Sequence, residues 1–327
     1  MPSPRAGAAT EHFITLFDRN FLPAGLCLHR SLMEQAPAFC LWVICMDQVV
    51  EARLRDLALP YVRLIPLHEI ETEVLRAVKH DRTTAEYCWT MTPFAPEFVM
   101  SREAGVERVT YIDADLFFFG PPSLLLEELE RSGSDVLITE HAYAPEYDQS
   151  ATHGKYCVQF ITFRNTPGGR AVLRWWRERC VEWCFARHED GKFGDQKYLD
   201  DWPTRFPGKV HVLARKDRTL APWNIAWFQE RANGLEPVFF HFHGFRIISS
   251  SFMLWYLGYR VGRGADKYYE RYTEMMSSAL AEISRRWGDL PVFPEPGSWR
   301  RLARLLWNGM NGRIRLRRFH LAGELKS

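Results

Sequence analysis

Two aspartates stand one residue apart directly after an apolar run, in the segment Arg108-Val109-Thr110-Tyr111-Ile112-Asp113-Ala114-Asp115. The run is typical of a β-strand, and side chains at positions i and i+2 of a strand leave the same face, so both carboxylates can converge on one hard cation. Open α/β sheets bind phosphate-bearing ligands at the carboxyl ends of their strands. The segment therefore predicts a metal-dependent nucleotide site, although a bare Asp-x-Asp also occurs in solvated loops.

Other polar side chains could complete such a site. The late run Phe240-His241-Phe242-His243-Gly244 places two imidazoles on one strand face, so the spacing permits either His241 or His243 as a metal ligand. Carboxylates and an imidazole form a mixed oxygen and nitrogen set that suits manganese. The pair Asp195-Gln196 opens a predicted short helix, where an aspartate would also serve as an ordinary cap.

The composition predicts a globular protein with a sizeable core. Of its 327 residues, 46% are hydrophobic and 14% aromatic, which suits one large α/β domain or two modest ones. We see no secretory leader and no run of 18 apolar residues, and we predict a soluble, cytoplasmic protein. The seven cysteines are scattered and lack a Cys-x-x-Cys pair, which predicts buried reduced thiols rather than disulfides or zinc.

The net charge of +2 is unevenly distributed. Residues 299–327 carry eight basic residues and one acidic residue, a net charge of +7, so residues 1–298 sum to −5. An acidic body with one basic tail gives little support for nucleic-acid binding. Helical spacing puts Trp299, Leu302 and Leu306 opposite the arginines, which predicts peripheral contact of residues 298–327 with the inner membrane face. The same pattern fits equally a helix that packs on the catalytic domain.

The elements that must position these side chains alternate between strand and helix in the amino-terminal half. This pattern predicts an α/β fold with a mostly parallel sheet flanked by helices. The predicted strands are 13–17, 41–46, 61–65, 108–115, 135–139, 156–163 and 237–243. The predicted helices are 23–35, 49–57, 83–105 with breaks at Pro93 and Pro96, 166–187, 193–198, 265–287 and 298–307. We divide the chain into a nucleotide-sugar transferase domain, residues 1–250, and a helical, basic C-terminal extension, residues 251–327, packed on or following it.

Together the motifs resemble those of GT-A-fold (Rossmann-like) glycosyltransferases, specifically family 8 of the retaining enzymes, which includes lipopolysaccharide galactosyltransferases and glycogenin. The segment Tyr111–Asp115 is similar to the family's metal-binding strand, and Phe240–Gly244 to its late His-aromatic-x-Gly element. Asp195-Gln196 resembles the pair beneath the donor sugar, and Asp18-Arg19-Asn20-Phe21 the turn around the uracil base. The resemblance covers roughly residues 13–246.

The resemblance implies a metal-dependent hexosyltransferase of polysaccharide biosynthesis that moves a sugar, with retention, from a UDP-sugar to a glycan or lipid-linked acceptor. It implies that Mn²⁺ or Mg²⁺ is held by Asp113, Asp115 and His241, with His243 as the second candidate. It implies that Asp195 orients the sugar hydroxyls and that Gln196 lies against the anomeric face. The remaining contacts to the nucleotide diphosphate are implied for Asp18, Asn20, Phe21, Asp113, Gly244 and Arg246.

The chain departs from the family at three points. A Lys-Pro-Trp that grips the phosphates is replaced by Phe245–Ile248, where Arg246 is the nearest cation. An Asn-small-Gly strand signature is replaced by Cys157-Val158-Gln159. The family's basic residue upstream of the metal strand aligns near Thr92, so Lys79 or Arg82 would have to supply that charge. We therefore predict a divergent relative.

Two other classes share some of these features. Phosphohydrolases of the haloacid dehalogenase type also end a strand in Asp-x-Asp with magnesium, but they place Thr or Val where Phe117 stands, and they place the motif near their start. A non-catalytic nucleotide-binding or scaffold protein of the same fold would keep the motifs without turnover. Both are alternatives to the transferase.

Overall fold

A computed structural model of the chain describes residues 10–231, 234–288 and 307–319. The strands of this part of the chain are β1 (Glu11–Phe17), β2 (Phe39–Cys45), β3 (Val62–Pro66), β4 (Arg108–Ile112), β5 (Leu116–Phe118), β6 (Val136–Glu140), β7 (Tyr156–Arg164), β8 (Val210–Val212), β9 (Thr219–Leu220), β10 (Phe239–His241), β11 (Arg246–Ile247), β12 (Phe252–Leu257) and β13 (Ile314–Arg318). They form three sheets.

Helices cover and connect these strands. The α-helices are α1 (Leu22–Gln35), α2 (Gln48–Leu57), α3 (Leu67–Ile70), α4 (Glu73–Lys79), α5 (Thr84–Met91), α6 (Phe94–Arg102), α7 (Ser123–Ser132), α8 (Ser150–His153), α9 (Pro167–Glu182), α10 (Trp202–Arg205), α11 (Ile225–Gln229) and α12 (Asp266–Trp287). Short 3₁₀ helices lie at Pro145–Tyr147, Gln196–Asp201, Lys216–Arg218 and Arg263–Ala265.

The central sheet has seven strands in the order β3-β2-β1-β4-β7-β6-β8. Strands β3, β2, β1 and β4 run parallel, whereas β7 is antiparallel to both β4 and β6. The mostly parallel sheet expected from the alternating pattern is confirmed. The continuous burial of β2 follows from this topology, because a strand covered by helices on both faces needs apolar side chains on both.

Each face of the central sheet has its own hydrophobic core. One core joins α1, α2, α7 and α12 to the sheet, and its members include Phe13, Leu28 and Leu280. The other joins α5, α6 and α9, with Trp176 and Trp202 fully buried at its centre. Because these two helical layers cover the faces of the sheet, the carboxyl ends of its parallel strands form one open edge.

A small second sheet lies directly beyond β4 and has the order β5-β10-β9. Strand β10 runs antiparallel to β5, with His241 opposite Leu116. Because Leu116 immediately follows Asp115, this pairing places His241 beside Asp113 and Asp115. The predicted strand 237–243 is shorter in the structure, and ends at His241.

Of the two prolines predicted to divide residues 83–105, Pro93 does so and Pro96 does not. Helix α5 ends at Met91, and α6 starts at Phe94 after Pro93. Pro96 lies in the first turn of α6, where a missing N–H removes no intrahelical hydrogen bond. Helix α9 ends at Glu182, five residues before the predicted end at Arg187. The predicted helix 298–307 lies outside the described residues except for Trp307.

Beyond residue 250 the described chain contains strands as well as the expected long helix. Strand β12 pairs with β11 and with β13, and α12 packs against α1, with Arg30 and Glu282 forming an ion pair at 2.9 Å. Helix α12 therefore shares a core with the first 250 residues, and the division at residue 250 stays a prediction. No helix in the described ranges is long and apolar enough to cross a membrane. All seven cysteines are free thiols, and six of them are buried.

Candidate active site

Three side chains meet at the junction of the two sheets. Each of Asp113, Asp115 and His241 offers one ligand atom, and these atoms lie within 4.8 Å of one another. His241 Nε2 is 3.1 Å from Asp115 Oδ1 and 3.9 Å from Asp113 Oδ2. Strand β4 ends at Ile112, so a tight turn closed by Leu116 N–H donating to Asp113 O, and not strand alternation, brings the carboxylates together.

The donor set fits a divalent cation. Two carboxylates and one imidazole, all partly or fully buried, leave positions open for other oxygen ligands. Burial raises the pKa of Asp113 to about 6. Burial also opposes the charged form of His241, but the Asp115 and Asp113 carboxylates outweigh it and hold the His241 pKa well above its ordinary value. The two carboxylates thus favour a positive charge at this point, which either the protonated His241 imidazole or a bound cation supplies.

Neighbouring residues fix the orientation of this cluster. His241 Nδ1 lies 2.7 Å from Gln159 Oε1, and because an amide oxygen only accepts, Nδ1 carries the proton and Nε2 faces the carboxylates. Tyr111 donates its hydroxyl to Asp113 Oδ1 at 3.1 Å. In the sequence, Gln159 stood out only as a departure from the family, but an amide side chain inside the buried strand β7 was a signal that it has a partner.

A cavity of about 720 Å³ opens over the cluster. It is lined by most of the residues predicted from the sequence: Asp18, Asn20, Phe21, Asp113, Asp115, Asp195, Gln196, His241 and His243. The lining also contains aromatic residues that the sequence did not single out for the site, among them Trp89, Phe193, Trp223 and Tyr259. Elements distant in sequence thus share one chamber.

Asp195 is buried, only 4% exposed, and stands immediately before the 3₁₀ helix at Gln196–Asp201. Its Oδ2 has no hydrogen-bond partner among the residues that the structure describes. Burial, and next the charge of Asp113, raises the pKa of Asp195 well above its ordinary value. An unpaired buried carboxylate oxygen is costly, so its place in the cavity wall indicates a group kept for a ligand.

Gln196 lies in the same wall, with its Nε2 donating to the backbone oxygen of His153 at 2.8 Å. The turn after β1 closes the opposite end of the cavity. There, Asp18 Oδ1 accepts the backbone N–H of Asn20 at 2.9 Å and that of Phe21 at 3.2 Å. Arg19 contacts Asp47 instead: its backbone N–H and its Nε both donate to Asp47 Oδ2.

The residues that follow His241 lie in three different places. His243 lines the cavity with its ring centre 5.7 Å from that of His241, but it is not a member of the three-residue cluster. Gly244 has a φ of +79° and lines neither the main cavity nor the small one beside it. Arg246 lies in that small adjoining cavity with Asn20 and Asp115.

Lys79 and Arg82 were predicted to replace the basic residue that the family has near Thr92. Neither of them lines the cavity. Lys79 pairs with Glu71 at 2.6 Å, and Arg82 donates to Thr90 Oγ1 and to the backbone oxygen of Val181. The prediction that one of them supplies the missing charge is therefore wrong: both are held by partners on the helical side of the fold. Thr92 itself does line the cavity.

The fold that carries these residues is that of the GT-A glycosyltransferases. Mouse xyloside xylosyltransferase 1 superposes with a TM-score of 0.50 at 12% identity, over 72% of this chain and 98% of that protein. The galactosyltransferase LgtC, solved with donor and acceptor sugar analogues, also gives 0.50, at 16% identity over 88% of this chain and 99% of its own. These likenesses confirm the predicted fold, and with it the resemblance stated from the motifs.

Sequence comparison finds relatives of higher identity than these structures. It belongs to the same family as two uncharacterised proteins of Bacillus subtilis strain 168. YfnF is 32% identical over 254 residues, covering 73% of this chain and 83% of YfnF, and YfnD is 30% identical over 268 residues, covering 77% and 84%. No protein-family model matches the chain. The haloacid dehalogenase alternative is excluded by the fold, since Asp113 follows the fourth strand of a GT-A sheet.

Proposed function

We propose that the protein is a metal-dependent glycosyltransferase that transfers a hexose from a UDP-sugar to a glycan or lipid-linked acceptor of polysaccharide biosynthesis. One observation carries the proposal: the Asp113, Asp115 and His241 cluster lies in the same cavity as Asp195, a buried carboxyl group whose Oδ2 has no hydrogen-bond partner among the described residues. A metal site alone would suit many functions. A metal site can bind a diphosphate, and a buried oxygen that can accept hydrogen bonds from hydroxyl groups can bind a sugar. The two together suit a diphosphate joined to a sugar.

Each end of the cavity has a separate task in this proposal. Asp113, Asp115 and His241 would hold Mn²⁺ or Mg²⁺, which stabilises the charge that develops on a leaving diphosphate. Arg246, in the adjoining cavity beside Asp115, adds positive charge near the same position. Asp18 shapes the turn that carries Asn20 and Phe21, and this turn would receive the uracil base.

The sugar end is assigned to Asp195 and Gln196. Asp195 Oδ2 is an acceptor for sugar hydroxyls. The amide of Gln196 is uncharged and is tethered through His153 O, which holds it in the wall. A weak, fixed dipole at the anomeric face would stabilise an oxocarbenium-like state without forming a tight ion pair, and this chemistry is compatible with retention. The stereochemical outcome is the part of the proposal that product analysis decides.

A non-catalytic scaffold is the competing function. It would have no use for a buried Asp195 Oδ2 that lacks a hydrogen-bond partner among the described residues, because such an atom lowers stability. Asp195 therefore favours the enzyme. Turnover of a nucleotide sugar in the presence of manganese would exclude the scaffold.

The test measures binding and turnover together. We expect UDP with Mn²⁺ to raise the melting temperature, and UDP-sugars to be hydrolysed or transferred only with the metal present. Asp115→Asn should abolish the metal-dependent shift while the protein stays folded, because removing one of two adjacent carboxylates relieves repulsion. Asp201→Asn, which changes an aspartate that pairs with Arg205 outside the cavity, is the matched control. Full activity of Asp115→Asn, or of the wild type in excess chelator, would contradict the proposal, and tighter binding of GDP- or CMP-sugars would contradict its UDP part.

A further inference from the structure

A row of aromatic side chains leads away from the metal cluster along one wall of the cavity. The ring centre of Trp223 is 5.4 Å from that of His241, and the ring centre of Tyr259 is 6.4 Å from that of Trp223. Both Trp223 and Tyr259 line the cavity. Tyr147 packs edge-on against Tyr259 at 5.1 Å and lies beside the cavity rather than in its wall. Flat apolar rings of this kind fit the C–H face of a sugar.

Two arginines, Arg260 and Arg313, contact Tyr147 at the outer end of this row. Arg260 is exposed, and its backbone N–H donates to the Tyr147 hydroxyl at 2.7 Å. The Arg313 guanidinium carbon is 6.0 Å from the centre of the Tyr147 ring and 5.2 Å from that of the exposed Trp307. The two arginines belong to one patch, because the Gly258 N–H, two residues before Arg260, donates to Arg313 O at 2.7 Å. We call Arg260 and Arg313 the rim arginines.

The charges of the rim arginines are not balanced by carboxylates. Among the residues that the structure describes, neither of them forms an ion pair, and Arg313 Nε is buried without a hydrogen-bond partner. The Arg260 side chain reaches only a backbone oxygen, with Nε 3.4 Å from Asn311 O. By contrast, Arg315 and Arg317 on the same strand pair with acidic residues of α12. Two neighbouring guanidinium groups without carboxylate partners indicate a site for an anionic ligand.

The cavity itself offers no such charge. No lysine or arginine is among the described residues that line it. An anionic group on the acceptor therefore finds no cation within the cavity wall, but finds two guanidinium groups beside Tyr147. Glu146 and Asp148 flank Tyr147 in the chain, but both are exposed and neither pairs with a rim arginine. Guanidinium groups bind phosphate oxygens through charge-assisted hydrogen bonds, so the arrangement fits a phosphate at the rim and a sugar inside.

We propose that the acceptor is a sugar joined to a phosphate or diphosphate group, and that the rim arginines bind this group. The sugar would lie along Tyr259 and Trp223, toward the metal cluster. This acceptor class rests on the proposed function and extends it. Trp307, exposed beside Arg313, stands where an apolar substituent on the phosphate would leave the protein. A lipid-linked sugar has all three parts, whereas a free glycan lacks the charged one.

The experiment measures binding to the full chain with Mn²⁺ and saturating UDP, which occupies the metal end. Dissociation constants are measured for glucose, galactose and N-acetylglucosamine 1-phosphates, each against its methyl glycoside, and for inorganic phosphate. We expect at least one sugar phosphate to bind on the order of 10-fold or more tightly than its methyl glycoside and than inorganic phosphate. If UDP with Mn²⁺ does not bind, the proposed function fails, and the acceptor class with it. If UDP binds and no sugar phosphate exceeds both references, the acceptor class alone is overturned.

A double variant locates the phosphate contact. Arg260→Gln with Arg313→Gln should lose the preference for the sugar phosphate and keep the wild-type affinity for UDP with Mn²⁺. Arg55→Gln with Arg205→Gln, an equal charge change at exposed arginines elsewhere, should keep both. If the double variant does not fold, Arg260→Gln alone decides, because that side chain is exposed.

Two results would overturn the assignment to the rim arginines. One is an unchanged preference for the sugar phosphate in the variant without them. The other is a variant that still binds the sugar phosphate but no longer binds phosphatidylglycerol vesicles, which would assign these arginines to a lipid headgroup instead of the acceptor.

Discussion

Gln159 is the residue on which the geometry of the candidate metal site depends most, although it contributes no ligand. Its Oε1 holds His241 Nδ1 at 2.7 Å and thereby directs Nε2 to the aspartates. Loss of such an orienting partner typically costs 10- to 100-fold in metal affinity. We predict that Gln159→Leu, similar in volume, weakens Mn²⁺ binding by about that factor, measured by titrating the metal-dependent rise in melting temperature.

The control for this change is Gln149→Leu, because Gln149 also lines the cavity but has no contact with His241. It should leave the Mn²⁺ titration unchanged. Equal Mn²⁺ affinity in Gln159→Leu and wild type would show that the histidine needs no such partner.

Asp195 gives a second prediction, which separates binding from turnover. Removing one well-placed electrostatic group typically costs on the order of 10²-fold in rate. Asp195→Ala should therefore bind UDP with Mn²⁺ normally and turn over a UDP-sugar about 100-fold more slowly, as followed by release of UDP. An unchanged rate would remove Asp195 from the proposed mechanism, whereas an anomerically inverted product would reject only retention.

For single residues, the sequence could predict the charged side chains that stand in short motifs, but it could not predict which residues contact them. Asp113, Asp115, His241 and Asp195 stand in short recognisable motifs, and the structure brings all four to one cavity. The contact between Gln159 and His241 spans 82 positions and depends on how two sheets meet, which no local pattern encodes. The substitutes proposed for Thr92 failed because Glu71 pairs with Lys79 and the backbone oxygen of Val181, 99 positions away, accepts from Arg82, and neither contact could be predicted from a local pattern.

Among the elements, α2 braces the turn that would receive the nucleotide base. Asp47 caps α2 through Val50 N–H at 2.8 Å and holds Arg19 through its backbone N–H at 2.9 Å. Replacing a capping aspartate by alanine typically costs about 1 kcal/mol. Asp47→Ala should lower the free energy of unfolding at pH 7 by at least that amount, measured in urea, and should weaken UDP binding through the loosened turn.

The pH dependence of this cap has a definite sign. Burial opposes the charged form of Asp47, but hydrogen bonds from Arg19 and Val50 outweigh it and lower the Asp47 pKa below its ordinary value. A depressed carboxyl pKa contributes stability above the unfolded value of about 3.9, and that stability is lost as the pH falls below it. The difference in unfolding free energy between wild type and Asp47→Ala should thus be constant from pH 7 to about pH 5 and shrink below pH 4. A difference that grows on acidification would contradict the assignment.

Element prediction succeeded where the signal is local. The apolar runs of β1, β2 and β7 and the break at Pro93 between α5 and α6 were visible in the sequence, and the structure has them within a few residues. The sheet β5-β10-β9 was missed because β5 and β9 are only three and two residues long. Such strands form through long-range pairing rather than through propensity.

Over the whole molecule, exposed apolar side chains concentrate at the C-terminal end of the described chain. Six large hydrophobic residues are exposed in the described ranges, and four of them lie on or next to the β12–β13 pair: Phe252, Trp307, Met310 and Leu316. Arg318 leaves the same face of β13 as Leu316, whereas Arg315 and Arg317 leave the other face and pair with Asp266 and Glu270 of α12. We propose that the surface defined by Phe252, Trp307, Met310, Leu316 and Arg318 contacts an anionic membrane and brings the cavity to a lipid-linked acceptor.

This membrane proposal is best tested with point variants, because deleting residues 298–327 would also remove β13 from its sheet. Basic residues near an anionic surface contribute about 1 kcal/mol each. Leu316→Gln with Arg318→Gln removes one apolar and one basic contact and should therefore weaken cosedimentation with phosphatidylglycerol-containing vesicles by about 10-fold or more. Val74→Gln with Arg187→Gln, an equal change at exposed residues elsewhere, should not. Binding of the wild type should also weaken at high salt and disappear on phosphatidylcholine alone. If the strand variant binds anionic vesicles as well as the wild type, these residues are ordinary surface residues and the membrane contact is rejected.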